Sequence, residues 1–144
     1  MAKKLALVAC VSKKQRSPKP AQDLYSSDWL RKASADARRM SDEWYILSAK
    51  YGLLAPHKVI APYDETLKSR RAPARRTWSK RVLRDLATVL QPGDRVVILA
   101  GKDYREYLLS GIRAMGSVVE IPMKGLRIGQ QLSWLKRRLE GSRV

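Results

Sequence analysis

Asp64 is the acid whose neighbours best suit it to chemistry. It closes the segment Pro62-Tyr63-Asp64, in which a proline restrains the backbone and an aromatic ring adjoins a carboxylate. A carboxylate so held can activate water or stabilise a developing positive charge. The same aspartate could instead close an Asx-turn or cap the next turn. Asp103 follows Gly101-Lys102 and reads as a helix N-cap, and Asp23 offers less context still. Cys10 ends an apolar run and precedes Ser12, Lys13 and Lys14. Nearby cations favour a thiolate, so Cys10 could be a nucleophile. It could equally be a small buried core residue, and no histidine or acid is spaced to pair with it. Lys13 and Lys14 could attack a sugar through a Schiff base, or contact phosphate as lysines in basic loops commonly do. Tyr25, Tyr51 and Tyr63 offer flat rings for stacking, or ordinary packing with a bonded hydroxyl. His57, between Pro56 and Lys58, reads as a loop residue.

These side chains need elements to position them. Leu5–Cys10 is a continuous apolar run that reads as a central strand buried on both faces. The basic stretch after it contains Pro18 and Pro20, which forbid a helix. Ser27 or Asp28 can cap a helix whose stripe is Trp29, Leu30, Ala33, Ala37 and Met40. Glu43–Leu47 reads as the second strand. From Tyr45 to Leu67 the chain is too apolar for a free surface loop and too rich in breakers for one regular element. It fits an ordered, partly buried loop at a strand end. A long helix follows, with Trp78, Val82, Leu86, Val89 and Leu90 on its inner face. Arg95–Ala100 and Ser117–Ile121 are the third and fourth strands, with a short helix over Lys102–Ile112 between them. Ile128, Leu132, Leu135 and Leu139 mark a terminal helix. Alternating strands and helices predict one α/β domain over residues 1–144. It should be a three-layer arrangement with a mostly parallel sheet of four to five strands and helices on both faces.

In such a sheet the loops after the strands share one edge, where ligands bind. Those loops begin at Cys10, Ser48, Gly101 and Pro122. They gather Cys10, Ser12, Lys14, Tyr25, Ser48, Tyr51, Tyr63, Asp64, Gly101, Lys102 and Arg127 around one prospective pocket. Gly125-Leu126-Arg127-Ile128-Gly129 opens the last helix, where glycines admit a phosphate to the backbone. It matches neither a Walker nor a dinucleotide fingerprint.

The charge balance points to the partner. Among 144 residues, 30 lysines and arginines face 13 acids, a net charge of +17. Self-repulsion on that scale opposes compactness, so a polyanion is the natural partner: nucleic acid first, an anionic membrane surface second. A merely soluble or thermophilic surface would carry more glutamate beside its lysine. Lys13, Lys14, Arg16, Lys68, Arg70, Arg71, Arg75, Arg76, Lys102 and Arg127 are the candidate nucleic-acid contacts. The run from Lys68 to Arg76 is the densest, and its arginines oppose the dipole of the helix they start. An apolar fraction of 44% argues against disorder. The apolar run after Met1-Ala2-Lys3-Lys4 is too short for a signal peptide or a membrane span. One cysteine and one histidine leave no internal disulfide and no expectation of a structural zinc site, in keeping with a cytoplasmic protein that needs no metal or organic cofactor. The oligomeric state is not legible.

The stretch LSAKYGLLAPHKVIAPYDETL resembles the central signature of the YaaA-like proteins, in which a strand runs into S-x-x-Y-G-L-L, then P, then I-x-P-Y. Cys10-Val11-Ser12-Lys13-Lys14, followed by Leu24-Tyr25-Ser26-Ser27, resembles a group of small bacterial and phage proteins. It is also similar to the cysteine-lysine-tyrosine-serine motif of an archaeosine-synthase domain. The resemblance covers most of the chain, up to Gly125–Trp134. The chain is far shorter than the YaaA proteins and has no room for their added helical DNA-binding module. What the resemblance implies is work on nucleic acids or nucleobases: DNA binding under oxidative stress, 7-deazaguanine modification of tRNA, or excision of modified bases from DNA in defence. It implies, first, a DNA glycosylase-like enzyme acting on double- or single-stranded DNA, with Asp64 as catalytic carboxylate and Cys10 and Ser12 beside it. Tyr25, Ser48, Tyr51 and Tyr63 would hold the extruded base. A non-catalytic basic DNA-binding protein is the alternative, and nucleobase-modifying chemistry at Cys10 the third reading.

Overall fold

The apolar run near the amino terminus forms the central strand of the sheet. A computed structural model describes residues 2–9, 18–21, 28–61, 63, 67 and 70–141. Cys10, Ser12, Lys13, Lys14, Arg16, Tyr25, Asp64 and Lys68 lie outside the described residues. In chain order the elements are β1 (Lys4–Val8), β2 (Lys19–Pro20), α1 (Asp28–Met40), β3 (Glu43–Ser48), β4 (Gly52–Leu54), β5 (Val59–Ile60), α2 (Ala72–Leu86), β6 (Arg95–Leu99), α3 (Lys102–Arg105), α4 (Leu109–Ala114), β7 (Val118–Glu120) and α5 (Ile128–Gly141).

Five strands form the main sheet in the order β4-β3-β1-β6-β7. β1 pairs in parallel with β3 and β6, β6 pairs in parallel with β7, and β4 runs antiparallel to β3. Strands on both edges and helices on both faces surround β1, so Leu5, Ala6, Leu7 and Val8 are all buried. Side chains alternate across the sheet. Ala6, Val8, Ile46, Val97 and Leu99 meet Trp29, Leu30, Ala33 and Ala37 of α1 and Leu135 of α5 on one face. Leu5, Leu7, Leu47, Val96 and Ile98 meet Trp78, Val82 and Leu86 of α2, with Tyr104, Leu108 and Ile112, on the other. The expected three-layer α/β domain is therefore present.

Chain direction explains the two layers. From β1 the chain crosses to β3 through α1 on one face. It then returns past β1 to β6 through α2 on the opposite face. Crossovers of one hand require helices to change face when the direction of travel reverses. The reversal falls between β1 and β6, whose carboxyl ends mark the usual ligand position in such sheets.

α1 and α5 are fastened by polar contacts as well as by packing. Trp29 Nε1–H donates to Gln131 Oε1 (2.9 Å), and Arg138 Nε–H donates to the buried Asp36 carboxylate (3.2 Å). The contact thus starts one turn into α5, which is why Ile128, expected on the inner stripe, is 62% exposed. Met40, at the last turn of α1, is likewise exposed. The helix expected over Lys102–Ile112 is divided into α3 and α4. Leu108 N–H bonds to Arg105 O three residues back, tightening the chain between them, while Tyr104, Leu108 and Ile112 keep one buried face.

The stretch from Tyr51 to Leu54 is not a loop. It turns back on β3 as β4, with Gly52 opposite Ser48 and Leu54 opposite Ile46. Gly52 has φ +72°, a conformation that glycine reaches without a Cβ clash and that starts the return strand. Farther along, β5 pairs antiparallel with β2, and Ala21 N–H donates to Lys58 O (2.7 Å). The segment that follows the β1 loop is thereby bound to the central Tyr45–Leu67 stretch.

Candidate functional site

Ser48 is the last residue of β3, and three elements meet on it. Its hydroxyl donates to the Tyr63 hydroxyl oxygen (2.8 Å) and accepts the Tyr51 N–H (3.0 Å). Its carbonyl accepts Trp78 Nε1–H from α2 (2.8 Å). Ser48 is wholly buried, so a residue without a hydroxyl would strand the Tyr51 amide. The Tyr51 and Tyr63 rings meet edge to face, with centroids 5.6 Å apart and planes at 87°. Tyr63 is only 8% exposed, whereas Tyr51 is half-buried and has Lys50 Nζ 5.5 Å from its ring centre. Tyr51 is thus less enclosed than Tyr63, with Lys50 over its ring and Tyr63 at its edge. Asp64 is the next residue in the chain after Tyr63.

The structure thus brings together Ser48, Tyr51 and Tyr63 of the expected base-binding set. The expected cations are spread over several environments. Arg70 donates to Ala49 O (3.4 Å) across the start of α2. Arg75 is held within the fold: its Nε–H bonds to Leu67 O (3.0 Å), and its guanidinium pairs with Asp103 (3.1 Å) and Glu106 (3.5 Å). Those acids supply negative charge near the amino end of α2, where the helix has none in its first turn and no side-chain cap. Arg71 is exposed, and Arg76 lies over the Tyr107 ring (5.1 Å). Lys102 is exposed at the start of α3, just beyond the carboxyl end of β6. Arg127 is exposed before α5, where its N–H is occupied by Gln130 Oε1 (2.9 Å).

Sequence reasoning missed Lys50, Arg81 and Arg84. With Arg70 they line an open groove of about 670 Å³ between α2 and the β3–β4 turn. Arg81 joins its two walls, donating to Lys50 O and Tyr51 O (3.0 Å each). Part of the signal was legible: Ala74, Thr77, Arg81 and Arg84 recur at helical spacing on one side of α2. That Lys50 faces this stripe depends on the hairpin. Among the described residues no cluster of three or more histidine, cysteine or acidic side chains is arranged to hold a metal ion. No helix there is long and apolar enough to cross a membrane.

Fold and site together define a doubly wound α/β domain with a tyrosine-lined strand end and a strongly basic exterior. Over residues 5–137 the chain matches a family of unknown function, DUF6884, and it belongs to that family. It is also similar to the uncharacterized protein YfjM of Bacillus subtilis (strain 168), at 28% identity over 96% of each chain. No solved structure matches it.

Proposed function

We propose that this protein acts on DNA in the cytoplasm, hydrolysing the N-glycosidic bond of an extruded, modified base and leaving an abasic site. The observation that carries the reading is the packing of Ser48, Tyr51 and Tyr63 at a strand end of a protein with net charge +17. A polyanion is drawn by the charge, and a base out of the stack needs a flat side chain to rest on. Tyr51 supplies that ring, and Tyr63 and Ser48 fix its position. Asp64, following the anchored Tyr63, supplies the carboxylate. Water adds to the anomeric carbon, the carbon–nitrogen bond breaks with its electron pair leaving on the base, and the proton of the water passes to Asp64 or to the base. The likeness to YaaA-like proteins and to base-excising defence proteins supports the same reading and gives phage defence or DNA repair as its setting.

A second reading is favoured by one feature of the site. Tyr63 is nearly buried and its hydroxyl is engaged by Ser48, so the cluster also makes sense as packing for the hairpin of a non-catalytic DNA-binding protein. An abasic-site assay separates the two. The protein is incubated with plain DNA, uracil-containing DNA and phage DNA carrying hypermodified cytosine, and then alkali-labile breaks and released base are measured. The expected result is release from the modified substrate, reduced by at least about 100-fold in Asp64→Asn, the scale of a lost general acid or base. Binding to all three substrates with no release from any would leave the non-catalytic reading standing.

A further inference from the structure

The groove between α2 and the β3–β4 turn is charged in one sense only. Lys50, Arg70, Arg81 and Arg84 line it, and no acid does among the described residues. Like charges gathered around one opening repel, and an anion seated between them removes that repulsion. Two of the four cations are already fixed by backbone carbonyls. Arg81 is bonded to Lys50 O and Tyr51 O, and Arg70 to Ala49 O. A guanidinium has five N–H donors, so Arg81 keeps donors beyond the two carbonyls. A cation held in advance gives up little side-chain freedom when a ligand arrives.

The chemistry of the lining selects phosphate over a base. Ala49, Ala74 and Thr77 provide small residues on which an extended backbone can lie close. Among the described lining residues the one aromatic is Trp78, which is 4% exposed and has its N–H spent on Ser48 O. No described residue of the lining offers a stacking face. Position matters too, because Lys50 is adjacent in sequence to Tyr51 and Arg81 holds the carbonyls of both. A chain of phosphates in the groove would therefore lie beside the ring that receives the base.

We infer that this groove seats the phosphodiester backbone of one nucleic-acid strand, setting the register of the base offered to Tyr51. The inference rests on the nucleic-acid reading above and adds to it a site built from Lys50, Arg70, Arg81 and Arg84. Phosphate contacts of this kind position a strand without reading its sequence.

Lys50 and Arg84 are exposed, and their substitution leaves the Arg81 bonds in place, so the double variant Lys50→Gln/Arg84→Gln tests the groove without dismantling it. The control is Lys136→Gln/Arg137→Gln, two exposed residues of α5 on the opposite face of the sheet. Binding of a labelled oligonucleotide, single-stranded and duplex, is followed by fluorescence anisotropy over a range of salt. Each phosphate contact contributes a slope of roughly 0.7 on single strands and roughly 0.9 on duplex. The groove variant is expected to make the slope of log affinity against log salt shallower by about 1.4 and about 1.8 respectively, with the control unchanged. A slope that falls no further in the groove variant than in the control overturns the groove and spares the nucleic-acid reading. A wild-type protein that binds neither oligonucleotide overturns both. Loss of binding to phosphatidylserine vesicles with DNA binding intact would assign the groove to a membrane surface and also overturn the inference.

Discussion

Ser48 joins a strand end, a turn and a helix through its hydroxyl and its carbonyl. Ser48→Ala removes only the hydroxyl, and it leaves the Tyr51 amide and the Tyr63 hydroxyl each short of one partner. The expected loss is about 1–3 kcal/mol, the range for stranding a buried polar group, and urea unfolding measures it. Asp94 performs a comparable service at the other end of the sheet. Its carboxylate accepts the N–H groups of Lys3 and Gln91 (2.9 Å each). These bonds, with the charge of Lys3 adding a smaller contribution, hold it below the usual aspartate range. A carboxylate with its folded-state value lowered stabilises the fold fully above the ordinary aspartate value of about 3.9. That contribution fades as pH falls through the lowered folded-state value. Asp94→Asn should therefore unfold at lower urea at neutral pH and show a flatter acid limb when urea midpoints are plotted against pH. An unchanged acid limb would assign the acid sensitivity to other carboxylates.

At the scale of elements, the hairpin of β3 and β4 governs the site. It places Lys50 beside the groove with its ammonium over the Tyr51 ring, and Tyr51 against Tyr63, within one turn, and Arg81 clamps that turn to the helix. Gly52 makes the reversal possible. A Cβ there would meet Arg81 Nε at 3.4 Å, and its φ of +72° is unfavourable for any residue with a side chain. Gly52→Ala is expected to cost about 1–2 kcal/mol in stability, chiefly from that backbone conformation. If Tyr51 is the base-receiving ring, DNA affinity should fall along with it. Urea midpoints and oligonucleotide binding on the same preparation check both; an alanine variant with wild-type stability would show that the turn adapts freely.

For the whole molecule the dominant fact is a charge of +17 on 144 residues. Internal pairing engages some of the 30 basic side chains but leaves that excess untouched. Asp103 and Glu106 compensate Arg75, Asp36 sits near Arg39 and Arg138, and Glu120 pairs with Arg95. The excess remains and repels itself across the surface. Moderate salt screens charges separated by more than about 10 Å, the screening length near 0.1 M. Without DNA, the unfolding temperature is therefore expected to rise from low to moderate ionic strength, as scanning calorimetry would record. DNA affinity should move the opposite way over the same range, because phosphate contacts release counterions. A melting temperature that falls with salt would mean that internal ion pairs outweigh the repulsion.

The sequence by itself determined the layers of this protein and the sign of its surface. Leu5–Val8 could be read as a central strand, because burial on both faces demands unbroken apolar residues, and Arg95–Leu99 as a further strand. α1 and α2 were legible because a helix packed on a sheet repeats its apolar contacts every three to four residues, as Trp78, Val82 and Leu86 do. The same logic brought Ser48, Tyr51 and Tyr63 to one strand end. β4 escaped because three residues show no period, and the return depends on pairing with β3. The exposure of Ile128 escaped because helical spacing sets which residues share a face but not where along the helix its neighbour begins. Whether a given arginine is spent inside the fold or offered to a ligand was decided only in three dimensions. Arg75 and Arg81 stand in the same basic helix, yet one answers two acids from α3 and its exit turn, and the other borders a groove with no acid among its described lining. Charge is a property of the side chain, but its availability depends on which carboxylates and carbonyls folding brings within reach.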